Sequence, residues 1–458
     1  MSARSIWKKE LAALTRLAIP VVLSELGWMA QTVVDTIMVG KLGPVSIGAV
    51  ALGNALFYTP SLLGIGLLLG LDPLVAQAYG RKDYDECHRW LAQGIYLALA
   101  ISPILMALVA VASFFFTRAG IMPEVATPAG QYLRMLDWSI LPLLIYGAAR
   151  RYLQGVGEVR VITLTYIGAN LLNWGGNWAL IYGHLGFPAM GVRGSALSTV
   201  ASRILMAVSL MGFAWRYERK RGHPLFHHWA RPQLARIREL CRLGLPAAAQ
   251  IVLEVGAWNT ATLSAGWLTP IALATHQIAM NYASITYMIP LGISAATSVM
   301  VGHAIGAGDP ARARRAGWLG LGLGTFFMVL AGLVFLIAPR PLIELYTSDA
   351  RVLAVGPTLL WIAAAFQVFD GIQTISTGAL RGLGETRAPM LANFLGYWIL
   401  GLPLGMILCF VLKRGIYGMW TGLTLALIVI SSILLHRWRK DSARIAEIAL
   451  KPNLETSA

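Results

Sequence analysis

The chain has 458 residues, 57% of them hydrophobic and only 13% charged, with a mean hydropathy of +0.64. Soluble domains carry about 25% charged residues, so the composition excludes a water-soluble globular protein and indicates a multi-pass membrane protein. The formal net charge of +16 raises nucleic acid as a partner, but the placement of the basic residues, taken up below, reads as membrane topology instead.

A bilayer-spanning helix needs about 20 predominantly apolar residues, and runs of that kind recur from end to end. Twelve are predicted, centred near residues 27, 60, 103, 142, 172, 204, 254, 287, 327, 367, 399 and 427. The first, LAIPVVLSELGWMAQTVVDTIMVGK from Leu17 to Lys41, holds Pro20 and two acids, Glu25 and Asp35. It lacks a small-residue cleavage site at signal-peptide distance, so it is expected to be retained. Asp72 precedes Pro73 near the end of helix 2, and Asp137 is expected at the start of helix 4. Helix 5 contains NLLNWGGNWALIYG, with Asn170, Asn173 and Asn177, and helix 6 adds Ser198, Thr199 and Arg203. Trp215–Arg242 is a basic connection interrupted by Pro224 and Pro232. Helix 7 then carries Glu254 and helix 10 carries Asp370, while the tail after Arg439 reads as weakly amphipathic or disordered.

An internal repeat organises these elements. LAIPVVLSE from Leu17 aligns with LGLPAAAQI from Leu243, an offset of 226. At that offset Gly40, Pro44, Gly80 and Asp83 fall on Gly266, Pro270, Gly306 and Asp309. Further on, LQGVGE (Leu153–Glu158) matches LRGLGE (Leu380–Glu385) at an offset of 227. Six helices per half gives both halves the same orientation, a parallel repeat about an axis along the membrane normal. The expected organisation is a six-helix bundle at 11–215, a cytoplasmic linker at 216–242, a second six-helix bundle at 243–438 and a cytoplasmic tail at 439–458.

With the N-terminus in the cytoplasm, 28 Lys and Arg fall on the cytoplasmic side and 8 on the outer side, Arg203 inside helix 6 completing the 37. This is the positive-inside asymmetry, and it predicts that both termini are cytoplasmic. Three scattered cysteines, Cys87, Cys241 and Cys409, make neither a disulfide framework nor a metal site. Glycine clusters such as Gly64, Gly66 and Gly70 serve close helix approach. None precedes Lys-Ser or Lys-Thr, so no phosphate-cradling loop for ATP is expected. His223, His227 and His228 of the linker lack a thiol or carboxylate to complete a metal site and read as solvated.

Acids inside spanning segments are costly, roughly 2.5–3.5 kcal/mol each on insertion scales, and by default they mark an ion or proton pathway. Glu254 and Asp370 lie near mid-span with no salt partner within a turn of their own helices, so they must face a cavity or another helix. Asp35 follows Gln31 by four residues on one helical face. Asn173 and Asn177 also stack at i and i+4. With Asp35 and a helix 6 hydroxyl they make a proton or cation site, or else polar glue between helices. Glu25 has no partner that the sequence names. Asp72 and Asp137 are explained by solvation at the interfaces, and Arg203 by snorkelling or pairing with an acid.

These residues, in this order, resemble the multidrug and toxic compound extrusion (MATE) family, and more narrowly its NorM-like branch. The resemblance covers roughly residues 11–438 and rests on VVDTIMVGKLGP, VAQAYG, NWGGNWALIYG, the surroundings of Glu254, and DGIQTISTGALRGLGETRAP from Asp370. It implies a V-shaped pair of six-helix bundles around a central cavity that opens alternately to either side. Such proteins expel organic cations and amphipathic drugs against H⁺ or Na⁺. Asp35, Asn173, Asn177 and Thr199 match the polar cluster of the family's N-terminal half. Glu254 and Asp370 match the acidic pair of its C-terminal half, a possible Na⁺ site, and Pro20 matches the proline at which helix 1 bends. Two departures concern the ion: Asn177 stands where some relatives carry aspartate, and Phe366 stands where some carry tyrosine. Phe366 offers a cation–π face without a hydroxyl. Trp258 and Tyr287 read as drug contacts or as packing.

The expected protein is therefore an all-α, twelve-helix, cation-coupled drug antiporter of the bacterial cytoplasmic (inner) membrane, monomeric, with no cofactor, no ATP and no nucleic acid. A lipid-linked saccharide flippase of the same superfamily is the nearest alternative, although such chains usually have extra helices and a more basic cavity. A major-facilitator carrier would show a different loop from GRKDYDECHR after helix 2. An intramembrane enzyme would need a catalytic constellation at common depth. Only His276 lies within a span, close to the outer end of helix 8 and without an obvious partner.

Overall fold

A computed structural model describes residues 3–114, 120–223, 225 and 230–450. Pro224, His227 and His228 of the linker lie outside the described residues. The described ones are helical throughout: α1 (Ala3–Gly40), α2 (Pro44–Leu68), α3 (Leu71–Gly80), α4 (Tyr84–Phe114), α5 (Pro123–Asp137), α6 (Ile140–Gly155), α7 (Arg160–Tyr182) and α8 (Val192–Lys220) come first. Then follow α9 (Leu234–Leu268), α10 (Pro270–Gly306), α11 (Pro310–Ile337), α12 (Pro339–Glu344), α13 (Ala350–Gly382), α14 (Arg387–Asn393), α15 (Leu402–Met406) and α16 (Gly415–Leu450). A wider π turn at Phe394–Gly401 joins α14 to α15, and a second at Ile407–Val411 extends α15.

All twelve expected positions are helical, and among the described residues ten helices are long and apolar enough by themselves to cross a membrane. The other two fall short for visible reasons. Pro123–Gly155 is broken between α5 and α6, and α7 is diluted by Asn170, Asn173 and Asn177. Large apolar side chains face outward in helical rows, such as Ile104, Leu108 and Val111 on α4 or Phe326, Val329 and Leu333 on α11. Such rows would be untenable in water and suit a lipid surround. The chain is an all-α multi-pass membrane protein. Of the two readings of the tail, the helical one is seen as far as the described residues go: α16 continues past Arg439 to Leu450.

The repeat is written into local geometry. After α3, Lys82 takes a left-handed φ of 63° and Asp83 Oδ1 accepts from the Glu86 amide at 3.0 Å. At the 226 offset, Gly308 has φ 71° and Asp309 Oδ1 accepts from the Arg312 amide at 2.9 Å, capping α11. Gly157 and Gly384 both stand at φ 86°, each closing a helix whose next amide reaches back, Glu158 to Leu153 O at 2.8 Å and Glu385 to Leu380 O at 2.9 Å.

The chain forms two compact units, Leu23–Ala248 and Met1–Val22 with Ala249–Ala458. Both divisions fall inside helices, two residues after Pro20 in α1 and two after Pro246 in α9. An interior proline removes one helical hydrogen bond, yet α1 runs unbroken through Pro20. In the first unit the opening of α9 packs on the end of α2, where Gly66 and Gly70 meet Ala248 and Leu240. Its core is built around Phe57, Tyr132, Tyr152 and Tyr166, all at most 2% exposed. In the second unit the opening of α1 packs on α10, where Gly292 meets Val22, and on α11, where Arg315 grips both carboxylate oxygens of Glu10 at 3.0–3.1 Å. Trp420, Trp438 and Tyr397 fill that core.

Candidate functional site

Each unit holds a polar cluster around acids that have no cationic partner on their own helices. In the first, α1 and α7 run side by side and are laced by four side-chain hydrogen bonds. Ser24 pairs with Thr163 at 3.2 Å, Asn170 donates to Gly27 O at 3.0 Å, Asn177 donates to Asp35 Oδ1 at 2.6 Å, and Tyr182 donates to Met38 O at 2.6 Å. The near-constant spacing of partners along both helices explains why α7 tolerates so many amides: most of them face α1, not lipid.

Asp35 and Asn177 are buried, and Asn177 also donates to Asn173 Oδ1 at 3.3 Å. Asn173 in turn donates to Thr199 Oγ1 at 3.4 Å, while Ser198 donates to Asn173 O at 2.8 Å and fixes α8 against α7. The structure thus brings Asp35, Asn173, Asn177 and Thr199 together. Their donors are neutral amides and hydroxyls, which can orient a carboxylate but leave its charge uncompensated. Asp35 and Thr199 line a pocket together with Trp28, Tyr58, Tyr132 and Arg203. Arg203 does not snorkel. Its guanidinium lies 4.6 Å from the Phe57 ring centroid and donates to Ser139 Oγ.

In the second unit, Glu254 Oε2 accepts from Gln373 Nε2 and Asn393 Nδ2, both at 3.4 Å. Tyr397 donates to Gln373 Oε1 at 3.3 Å. Asp370 is buried with Glu254 as its electrostatic neighbour. Among the described residues neither acid forms an ion pair with Lys, Arg or His. No group of three or more His, Cys, Asp or Glu is placed to hold a metal ion among those residues.

One turn from Glu254 on α9 is Trp258, and one turn from Asp370 on α13 is Phe366. Their rings meet edge to face with centroids 5.2 Å apart, and Trp420 of α16 completes the group at 5.4 and 5.8 Å. Tyr287 lies half-buried on α10, near enough to Tyr397 for an electrostatic interaction. Gln373, Asn393, Tyr397 and Trp420 were not singled out by the sequence. An amide in an apolar run was the available signal for the first two, the same signal that marks α7.

Several sequence expectations are corrected. Glu25 has a partner: Arg150 of α6, itself 6% exposed, donates to its Oε1. Asp72 is not solvated but buried, 3.6 Å from Arg151. Arg150 and Arg151 follow one another on α6, so they serve these two acids rather than the lipid headgroups. Asp137 does not begin helix 4 but sits half-buried where α5 breaks before α6. His276 is fully buried, accepting from Trp420 Nε1 at 3.0 Å through Nδ1. Its Nε2 lies 2.9 Å from Thr262 Oγ1, whose hydroxyl donates to Trp258 O. That chain assigns the Nε2–H tautomer.

Two polar clusters on repeated six-helix halves, each centred on buried carboxylates, define a membrane carrier rather than an enzyme. Comparison with known proteins agrees. The MatE family model matches residues 20–179 and 246–407. The chain is 38% identical over 448 residues to the probable multidrug resistance protein NorM of Mesorhizobium japonicum, covering 95% of each. It is 37% identical over 446 residues to the multidrug resistance protein NorM of Burkholderia vietnamiensis, covering 94% of each. Among solved structures, a multidrug resistance MATE family transporter in an outward-facing conformation superimposes with a TM-score of 0.85 at 20% identity, over 96% of this chain and 97% of that one. A eukaryotic MATE transporter does so with 0.84 at 20% identity, over 97% and 99%. The chain belongs to the MatE family.

Proposed function

We propose that this protein is a secondary active exporter of organic cations and amphipathic drugs, exchanging them for H⁺ or Na⁺ by alternating access. The observation that carries the reading is the Glu254–Asp370 pair: two carboxylates inside spanning helices that interact electrostatically, Glu254 held by two amides and neither ion-paired with a cationic side chain among the described residues. Such a pair is stable only when a proton or a metal cation offsets its charge. Asp35 with Asn173, Asn177 and Thr199 is the second coupling site, and Trp258, Phe366 and Tyr287 contribute drug contacts. Ion uptake from outside neutralises the carboxylates, removes the potential that holds a cationic drug, and releases it. Ion release inward then recharges them. Competition for one negative potential suffices for exchange.

The names of the bacterial relatives, multidrug resistance protein NorM, support drugs as substrates and the bacterial inner membrane as the location. The distribution of Lys and Arg supports both termini in the cytoplasm. In the same reading the bundles are 11–215 and 243–438 about the linker, Pro20 is a hinge and a monomer is the working unit. The test is drug uptake into inverted proteoliposomes under a pH gradient and, separately, a sodium gradient. One of the two drives uptake of a cationic dye; if neither does while the dye still binds, exchange is wrong.

A further inference from the structure

The openings of α1 and α11 enclose a cavity of about 350 Å³ that shares no residue with either acid cluster. It is lined by Trp7, Ala311, Arg314, Arg315 and Trp318, all of the second unit. On α11 these positions stand at i, i+3, i+4 and i+7, one helical face. Arg315 donates from Nε and Nη2 to Glu10 at 3.0–3.1 Å, which fixes its plane against α1 and leaves Nη1 for a ligand. Arg314 is exposed and forms no ion pair among the described residues. Two guanidinium groups against one carboxylate leave the pocket a single net positive charge. Lys8 and Lys9, both exposed beside Trp7, add to the same field.

Depth and surroundings select the ligand. From Trp318 to its end at Ile337, α11 rises about 30 Å, the thickness of the hydrocarbon layer. Arg314 and Arg315 therefore stand at headgroup level, where amphipathic indoles such as those of Trp7 and Trp318 also settle. The same face of α11 continues as an exposed stripe through Gly322, Phe326, Val329 and Leu333. At about 100° per residue all four lie within about 80° of Trp318 around the helix. A phosphate seated in the pocket thus has an apolar, outward-facing surface beside it for acyl chains. A free phosphate would meet the guanidinium groups but make no use of that stripe.

We propose that this pocket seats the phosphodiester of an anionic glycerophospholipid, in the leaflet on the side of the N-terminus. Arg314 and the Nη1 edge of Arg315 hold the phosphate oxygens, and the two indoles flank the glycerol. The single positive charge matches a single phosphodiester, and basic pockets beside spanning helices suit anionic headgroups. Phosphatidylcholine brings the same phosphate with a cation that cancels the attraction.

The test counts lipids on delipidated protein in detergent by native mass spectrometry, with phosphatidylglycerol and phosphatidylcholine of matched chains. Wild-type protein holds one phosphatidylglycerol about tenfold tighter than phosphatidylcholine, the scale of one charge-assisted contact. Arg314→Gln, at an exposed position whose change spares the core, lowers the preference to about twofold or less. Arg312→Gln removes an equal charge from an exposed residue outside the pocket and leaves the preference intact. An unchanged preference in Arg314→Gln overturns the proposal. Equal losses in the two variants also overturn it, because the lipid would then answer only to the basic chain as a whole. Displacement of the lipid by millimolar inorganic phosphate overturns it as well, since the site would then take a free anion. Binding in detergent needs neither a gradient nor an orientation, so the result is independent of the export reading.

Discussion

Gly66 lies against Ala248 so closely that a Cβ on Gly66 would stand 2.5 Å from the Ala248 Cα, and 226 residues later Gly292 meets Val22 in the same way. Each half thus packs its second spanning segment on the opening of the other half's first helix. Gly66→Val and Gly292→Val overpack these crossings and should each cost about 1–3 kcal/mol, read as a lower thermal midpoint in detergent. Gly212→Ala on α8, with open space around it, should hold or raise the midpoint. Equal effects at all three positions would mean that the crossings are not tight.

The Arg150–Glu25 contact gives a sharper stability test. Arg150→Met leaves Glu25 charged and unpartnered in a partly buried site, a loss of up to about 3 kcal/mol, the low end for a broken buried pair. Adding Glu25→Gln should recover most of it. Because Glu25 belongs to this pair and not to a coupling site, the double variant should export at near wild-type rates. A double variant as unstable as the single one would show that the contact does not hold the two charges.

The fold was largely legible in the sequence, and the partners were not. Twelve apolar runs, the 226 offset and the amides of helix 5 were enough for architecture and for the Asp35 cluster, because helical spacing places Asn173 and Asn177 on one face. Glu25–Arg150 spans 125 residues and His276–Trp420 spans 144, and nothing periodic links such pairs. Arg150 and Arg151 stay hidden as partners of these acids for a physical reason. Arginine near a helix end usually reaches the headgroups, and only the packing of α6 turns this pair inward. The exchange of helix openings was equally hidden, since the repeat fixes which helices correspond and says nothing of which half each end packs on.

His276 offers a test of such a hidden contact. His276→Leu leaves the Trp420 indole N–H buried without an acceptor, at a cost of about 1–3 kcal/mol. Trp420→Phe removes the donor along with packing area. The double variant should therefore lose less than the sum of the singles, a coupling measurable by a thermal or denaturant double-mutant cycle. Strict additivity would mean that the bond does not form.

The two acidic clusters are best separated from structural roles by neutral isosteres. Asp35→Asn keeps an oxygen to accept from Asn177, and Glu254→Gln with Asp370→Asn keeps shape around Gln373 and Asn393 while removing the charge. A structural acid replaced this way loses stability. A coupling acid, whose buried charge is a burden without its ion, should keep or gain stability at neutral pH while gradient-driven export falls at least about tenfold, as expected when a step needs the charge change itself. Proteoliposome uptake and a thermal midpoint on the same preparations give both readings. Wild-type export from the Asp35→Asn variant would remove the first site from the mechanism, and wild-type export from the double variant would remove the second. Loss of stability in step with export would return either cluster to a packing role.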